Sequence, residues 1–102
     1  MEENKVLDTS VLIAGASGTT TIFNIIEYPP AYESCNVIWP RREDYVKALT
    51  IASKLRRVGK PVGAIDIIIA SICINRALAL VSKDEDFKSI KEVESSFRLE
   101  LR

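Results

Sequence analysis

The segment Ile65–Ala77, IDIIIASICINRA, constrains the fold more than any other part of the chain. Its apolar residues leave no polar stripe along a helix, so a helix here must be covered on several sides. The longest apolar stretch, Ala64–Ile74, is too short for a membrane span of ~20 residues, and it carries Asp66 inside it. Such a helix belongs in a layered domain, packed on a sheet. Leu78–Ser82, LALVS, follows at once and reads as a central strand.

The rest of the chain supplies further elements in alternation. Lys5–Leu7 reads as a buried strand with Asp8 at its carboxyl end, and Ala14–Gly18 as a small-residue turn. Thr19–Ile22 is β-branched and predicts a second strand. Phe23–Tyr28 predicts a short helix, which Pro29 and Pro30 cannot continue. Asn36–Trp39 predicts a third strand, stopped by Pro40. Arg41–Val58 gives the clearest helix, with Tyr45, Ala48, Leu49, Ala52 and Leu55 on one stripe. Glu43 and Asp44 open it and Arg56 and Arg57 close it, as the macrodipole favours; Gly59 and Pro61 stop it. Asp86–Val93 predicts a short amphipathic helix and Phe97–Leu101 an alternating edge strand. Alternating strands and helices predict an α/β class with a mostly parallel sheet, and 102 residues fit a single domain over residues 1–102.

Composition narrows the chemistry. There is no histidine, which removes histidine triads, histidine bases and histidine metal ligands together. Lys plus Arg is 14 and Asp plus Glu is 14, so the chain is not a strongly basic protein that coats nucleic acid. A local basic strip remains open to it. Arg41, Arg42, Lys54, Arg56, Arg57 and Lys60 flank one helix and read either as a solvated face or as an RNA-phosphate strip. Tyr28, Tyr32 and Trp39 offer rings for stacking on bases, with a core or interface place favoured for Trp39. Cys35 and Cys73 lack metal-site spacing and read as reduced thiols. Met1–Asn4 is polar and no apolar run follows that would make a signal peptide, so the expected location is the cytoplasm, with no membrane.

The acids fall in a pattern. Asp8 ends the first strand, Asp84 lies just past the carboxyl end of Leu78–Ser82, and Asp66 heads the helix that feeds that strand. Carboxyl ends of parallel strands share one edge, where ligands bind. Glu27, on the short helix after the second strand, reaches the same edge, and Asp86 stands beside Asp84 as a substitute or a holder of water. Taken singly, each acid has an ordinary role in a turn or a helix start. Gathered, they repel one another unless a divalent cation offsets their charge, and Mg²⁺ and Mn²⁺ take oxygen ligands. Such an ion activates water and stabilises charge on a phosphoryl oxygen.

These segments, LDTSVLI, TTTIFNIIE and GAIDIIIASICINRALALVSKDEDF, with the closing short strand, resemble the PIN domain family over about Val6–Leu101, in the style of the VapC-like toxins. The resemblance implies a three-layer α/β/α fold with a mostly parallel central sheet. It implies that Asp8, Glu27, Asp66 and Asp84 are the four catalytic and metal-holding acids, with Thr9 and Ser82 as hydroxyl residues beside them. It implies an Mg²⁺- or Mn²⁺-dependent endoribonuclease with an RNA substrate, a homodimer, and inhibition by a small antitoxin protein.

Two places are shorter than the family pattern. Only Ala14–Gly18 separates the first segment from Thr19, where one or two helices are usual, and Pro29–Asn36 replaces a helical pair. The helices are thus trimmed while the acids are kept, which predicts a dimer that covers the bared apolar surface. It also keeps a second reading open: a catalytically inactive PIN-like module that binds a partner protein or RNA. A third reading, an acidic phosphoacceptor pocket, lacks a clearly placed lysine.

Overall fold

The computed structural model describes residues 4–102. Met1, Glu2 and Glu3, most of the polar opening in which no signal peptide is read, lie outside the described residues.

The described chain alternates strands and helices: β1 (Lys5–Leu7), α1 (Thr9–Ile13), β2 (Thr19–Thr21), α2 (Ile22–Glu27), a 3-10 segment (Pro29–Ser34), β3 (Asn36–Ile38), α3 (Arg42–Arg57), α4 (Ala64–Asn75), β4 (Ala79–Ser82), α5 (Phe87–Val93) and β5 (Arg98–Leu101). Every strand pairing is parallel. β4 lies between β1 and β5, as its apolar run predicts, with β5 at the edge; β2 and β3 form a second, two-stranded piece. The two pieces meet where β2 lies against β1. There the Thr20 hydroxyl donates to the Leu7 carbonyl at 2.6 Å, where a backbone ladder would otherwise run.

Strand alternation builds the layers. Val6 of β1 and Leu80 of β4 face one core, with Ala48, Ile51 and Leu55 of α3, Ile67, Ile69, Ala70 and Cys73 of α4, and Phe87 and Ile90 of α5. Their neighbours Leu7 and Val81 face a second core with Val11 and Leu12 of α1, Ile25 of α2 and Ala31. Successive strand residues point to opposite faces, so each strand feeds both layers. This is the expected three-layer α/β arrangement with helices on both sides of the strands. Cys73 lies at the centre of the larger core, fully buried, and that burial pushes its thiol up to about 12.

Several local expectations shift. Thr9–Ile13, for which no element is expected from the sequence, folds as helix α1. α4 ends at Asn75, two residues earlier than expected, because Ala77 takes a left-handed conformation, φ 53°. The Leu78 N–H then returns to the Cys73 carbonyl at 2.9 Å and closes the helix end. α3 presents a different face from the one its apolar spacing suggests. Asp44, Ala48, Ile51 and Leu55 are buried, while Tyr45 and Leu49 are 47% and 71% exposed. Trp39 is 65% exposed, so it has no place in the core.

The buried Asp44 explains the rotation of α3. Its carboxylate accepts from the Arg41 N–H at 2.7 Å, from Asn75 Nδ2 at 2.9 Å and from Arg76 Nη1 at 3.0 and 3.1 Å. Burial pushes this carboxyl up, but those hydrogen bonds and the Arg76 charge outweigh burial, and its pKa is lowered overall. The cluster ties the start of α3 to the end of α4, so the two helices run antiparallel.

Candidate active site

Asp8 stands where β1 passes into α1. Its own N–H continues the parallel ladder to the Val81 carbonyl at 2.9 Å, and its carbonyl accepts from Val11 and Leu12 of α1. The side chain is thereby fixed at the carboxyl edge of the sheet, 6% exposed. Its carboxylate accepts from three side chains: Asn24 Nδ2 at 3.0 Å on Oδ1, and Ser82 Oγ at 2.7 Å and Ser10 Oγ at 3.3 Å on Oδ2.

Ser82, the last residue of β4, joins Asp8 to the next acid. Its hydroxyl donates to Asp8 and accepts from the Asp84 N–H at 2.9 Å. Asp84 in turn accepts from the Asp86 N–H at 2.9 Å, which winds the turn before α5. Asp66 reaches this turn from the first turn of α4. Oxygens of Asp66, Asp84 and Asp86 all lie within 4.8 Å of one another. Glu27 closes α2 and is exposed; its Oε1 accepts from the Thr9 hydroxyl at 2.6 Å.

Of the residues picked out from sequence, Asp66 and Asp84 therefore converge directly, with Asp86 as the third member of their cluster. Asp8 and Glu27 are outside that tight group but within its electrostatic reach. The Asp66 carboxyl is pushed up to about 6, first by burial, then by the charges of Asp8, Asp84, Glu27 and Asp86. Among the described residues, no lysine or arginine makes an ion pair with any of these five acids. The oxygen-only donor set and the uncompensated charge fit a hard divalent cation.

Thr9 and Ser82, expected beside the site, make direct hydrogen bonds to Glu27 and Asp8. Two further residues went unnoticed. Ser10 contacts Asp8, and Asn24 donates to both Asp8 and Thr9 Oγ1, each at 3.0 Å. Asn24 carries a weak signal of its own, a polar residue among FNIIE apolar neighbours.

The basic strip divides. Arg41 and Arg42 lie at the end of α3 away from Asp66, because α3 and α4 are antiparallel. Lys54 pairs with Glu94 at 3.3 Å and Lys60 with Glu92 at 2.5 Å. Arg56 and Arg57 are exposed and stand at the end of α3 nearer the start of α4. Of the rings, Tyr28 packs on the smaller core, and Tyr32 and Trp39 face solvent.

Solved structures share this fold. VapBC-1 from nontypeable Haemophilus influenzae aligns with a TM-score of 0.76 and 16% identity, over 95% of this chain and 96% of that one. DNA-bound VapBC from Salmonella typhimurium gives 0.77 and 16%, over 95% and 96%. VapBC2 from Rickettsia felis, bound to a DNA fragment from its promoter, gives 0.72 and 15%, over 95% and 97%. No curated protein matches the sequence. The profile of the PIN domain matches residues 28–93, which takes in Asp66, Asp84 and Asp86 and begins just after Glu27. That span runs from the end of α2 through α5, well over half of the chain, and so this protein belongs to the PIN domain family.

Proposed function

We propose that the chain is a metal-dependent endoribonuclease of the VapC toxin kind. In this reading it is a single-domain protein that acts in the cytoplasm, pairs with a second copy and is restrained by an antitoxin protein. The observation that carries the reading is the convergence of Asp66, Asp84 and Asp86 at the carboxyl edge of the parallel strands, with Asp8 and Glu27 around them and, among the described residues, no lysine or arginine ion-paired to any of the five. The fold shared with the VapBC structures supports the antitoxin partner.

Asp8, Glu27, Asp66 and Asp84 would hold Mg²⁺ or Mn²⁺, directly or through water, with Asp86 beside them. When bound, the ion supplies an activated water and offsets charge at the phosphorus. The chain does the rest. Three donors fix the Asp8 carboxylate in one orientation. Thr9 holds one oxygen of Glu27, and the exposed carboxylate can orient the attacking water with the other. Asp66 is largely ionised at neutral pH, since its carboxyl titrates about 6. Arg56 and Arg57 can contact RNA phosphates from the same end of the molecule.

The homodimer draws support from Tyr45, Val46, Leu49 and Ile65, which face outward at 47%, 58%, 71% and 41% exposure. The second reading, an inactive binding module, draws on the short connections at Ala14–Gly18 and in the 3-10 segment. A cleavage assay separates the two. Folded parent chain and Asp8→Ala are incubated with a mixed structured RNA in Mg²⁺, Mn²⁺ or EDTA. Metal-dependent cleavage that vanishes in Asp8→Ala is the expected result. No cleavage under any condition would transfer the case to the binding module.

A further inference from the structure

We propose that Asn24 is a positioning residue that couples the Asp8 and Glu27 halves of the site through one buried amide; the proposal rests on the metal-site reading above. Asn24 is fully buried in the first turn of α2. A buried side-chain amide must place both N–H groups and its carbonyl. Its surroundings dictate how it is turned. The Thr21 hydroxyl accepts from the Asn24 backbone N–H at 3.3 Å, so its own proton is free to donate to Asn24 Oδ1, at 2.6 Å. Oδ1 therefore faces Thr21, and Nδ2 faces the acids.

Both Nδ2 protons then serve the site. One goes to Asp8 Oδ1 and the other to Thr9 Oγ1, each at 3.0 Å. Because Thr9 Oγ1 accepts from Asn24, its own proton turns outward to Glu27 Oε1, at 2.6 Å. One amide thus orients a carboxylate on the β1–α1 junction directly and a carboxylate at the end of α2 through a hydroxyl. A residue that only capped α2 would need none of these contacts, since Thr21 already fills that place.

The test is calorimetric titration of the full chain with Mn²⁺ for the parent, Asn24→Leu, Thr9→Val and the double variant, with a thermal melt of each. Asn24→Leu is expected to bind Mn²⁺ roughly 10- to 100-fold more weakly, the usual loss when an outer partner of a metal site is removed. It should also lower kcat for RNA cleavage with little change in KM. Thr9→Val should weaken binding less, and should add little once Asn24 is already changed, because the two act in series. A lowered melting temperature with parent-like Mn²⁺ affinity would make Asn24 merely structural and overturn the proposal, as would fully additive effects. Should Asn24→Leu fail to fold, parent-like affinity in Thr9→Val, a half-buried and isosteric change, would overturn the relay to Glu27. A parent chain that binds Mn²⁺ but cleaves no RNA would remove the nuclease reading alone. Cleavage by the parent with undiminished affinity in Asn24→Leu would remove the positioning role alone.

Discussion

Asp44 opens α3 and Asp66 opens α4, each in the first turn of its helix, where the macrodipole favours a negative charge. Their surroundings are opposite. Asp44 is fully buried and saturated: a backbone N–H, an amide and a guanidinium surround it, and its pKa is lowered. Asp66 is half-buried among other acids, and its pKa is raised. A saturated acid holds two helices together and has nothing left to offer. A crowded one weakens the folded state, and in the proposed reading a bound cation would relieve it. The position of an acid on a helix does not separate these roles; the sign of its neighbours does.

Removing the saturated acid should have the largest effect. Asp44→Ala leaves Arg76 half-enclosed without its partner and is expected to cost about 3 kcal/mol, near the low end for a broken buried pair. Urea denaturation measures it, and Mn²⁺ affinity of the remaining folded protein should stay at the parent value. Unchanged stability would erase the contrast. Asp66→Asn should do the converse. RNA cleavage should fall by more than about 100-fold, beyond what even an outer partner of a metal site contributes, while the urea midpoint holds or rises.

The pH dependence sharpens the comparison. Asp66 titrates about 6 in the folded chain against 3.8 in the unfolded one, so the native state binds the extra proton between those values. Its contribution to stability therefore declines as pH rises from about 4 to about 6. Asp44 has a lowered folded pKa, so the stability it contributes is present above its unfolded value of 3.8 and is lost as pH falls through the folded value. Melting curves from pH 3 to 7 should show the decline in the parent, lose it in Asp66→Asn, and lose it in the parent with saturating Mn²⁺. A decline that persists in Asp66→Asn would assign it to another group. The smallest effect lies at the far end of α4. Ala77→Gly relieves a left-handed φ of 53° and should stabilise the chain by roughly 0.5 kcal/mol, with no effect on metal binding.

Much of this was legible in the residues. Asp8 and Asp84 share an edge because short apolar runs mark strand ends and parallel strands align those ends, and Asp66 joins them from the start of the helix that feeds β4. The nearly all-apolar α4 announced its own burial. Three things were hidden for physical reasons. Thr9–Ile13 carries three β-branched residues that give no helix signal, yet the Asp8 carbonyl and the packing of Val11 and Leu12 make it helical. The apolar residues of α3 wrap too far round to define one face, and the buried face is chosen by Asp44, whose partner Arg76 lies at the end of another helix. Asn24 gives only a weak signal, because its contacts to Asp8 and Thr9, each at 3.0 Å, are brought together by the fold alone.

The thiol of Cys73 gives the core a built-in clock. Sealed at 0% exposure and held protonated up to about 12, it is closed to alkylating reagents for as long as the native core stays shut. Cys35 is only half-buried, so it should be labelled first. The delay before the second label is then the waiting time for the larger core to open, readable by mass spectrometry without adding a probe.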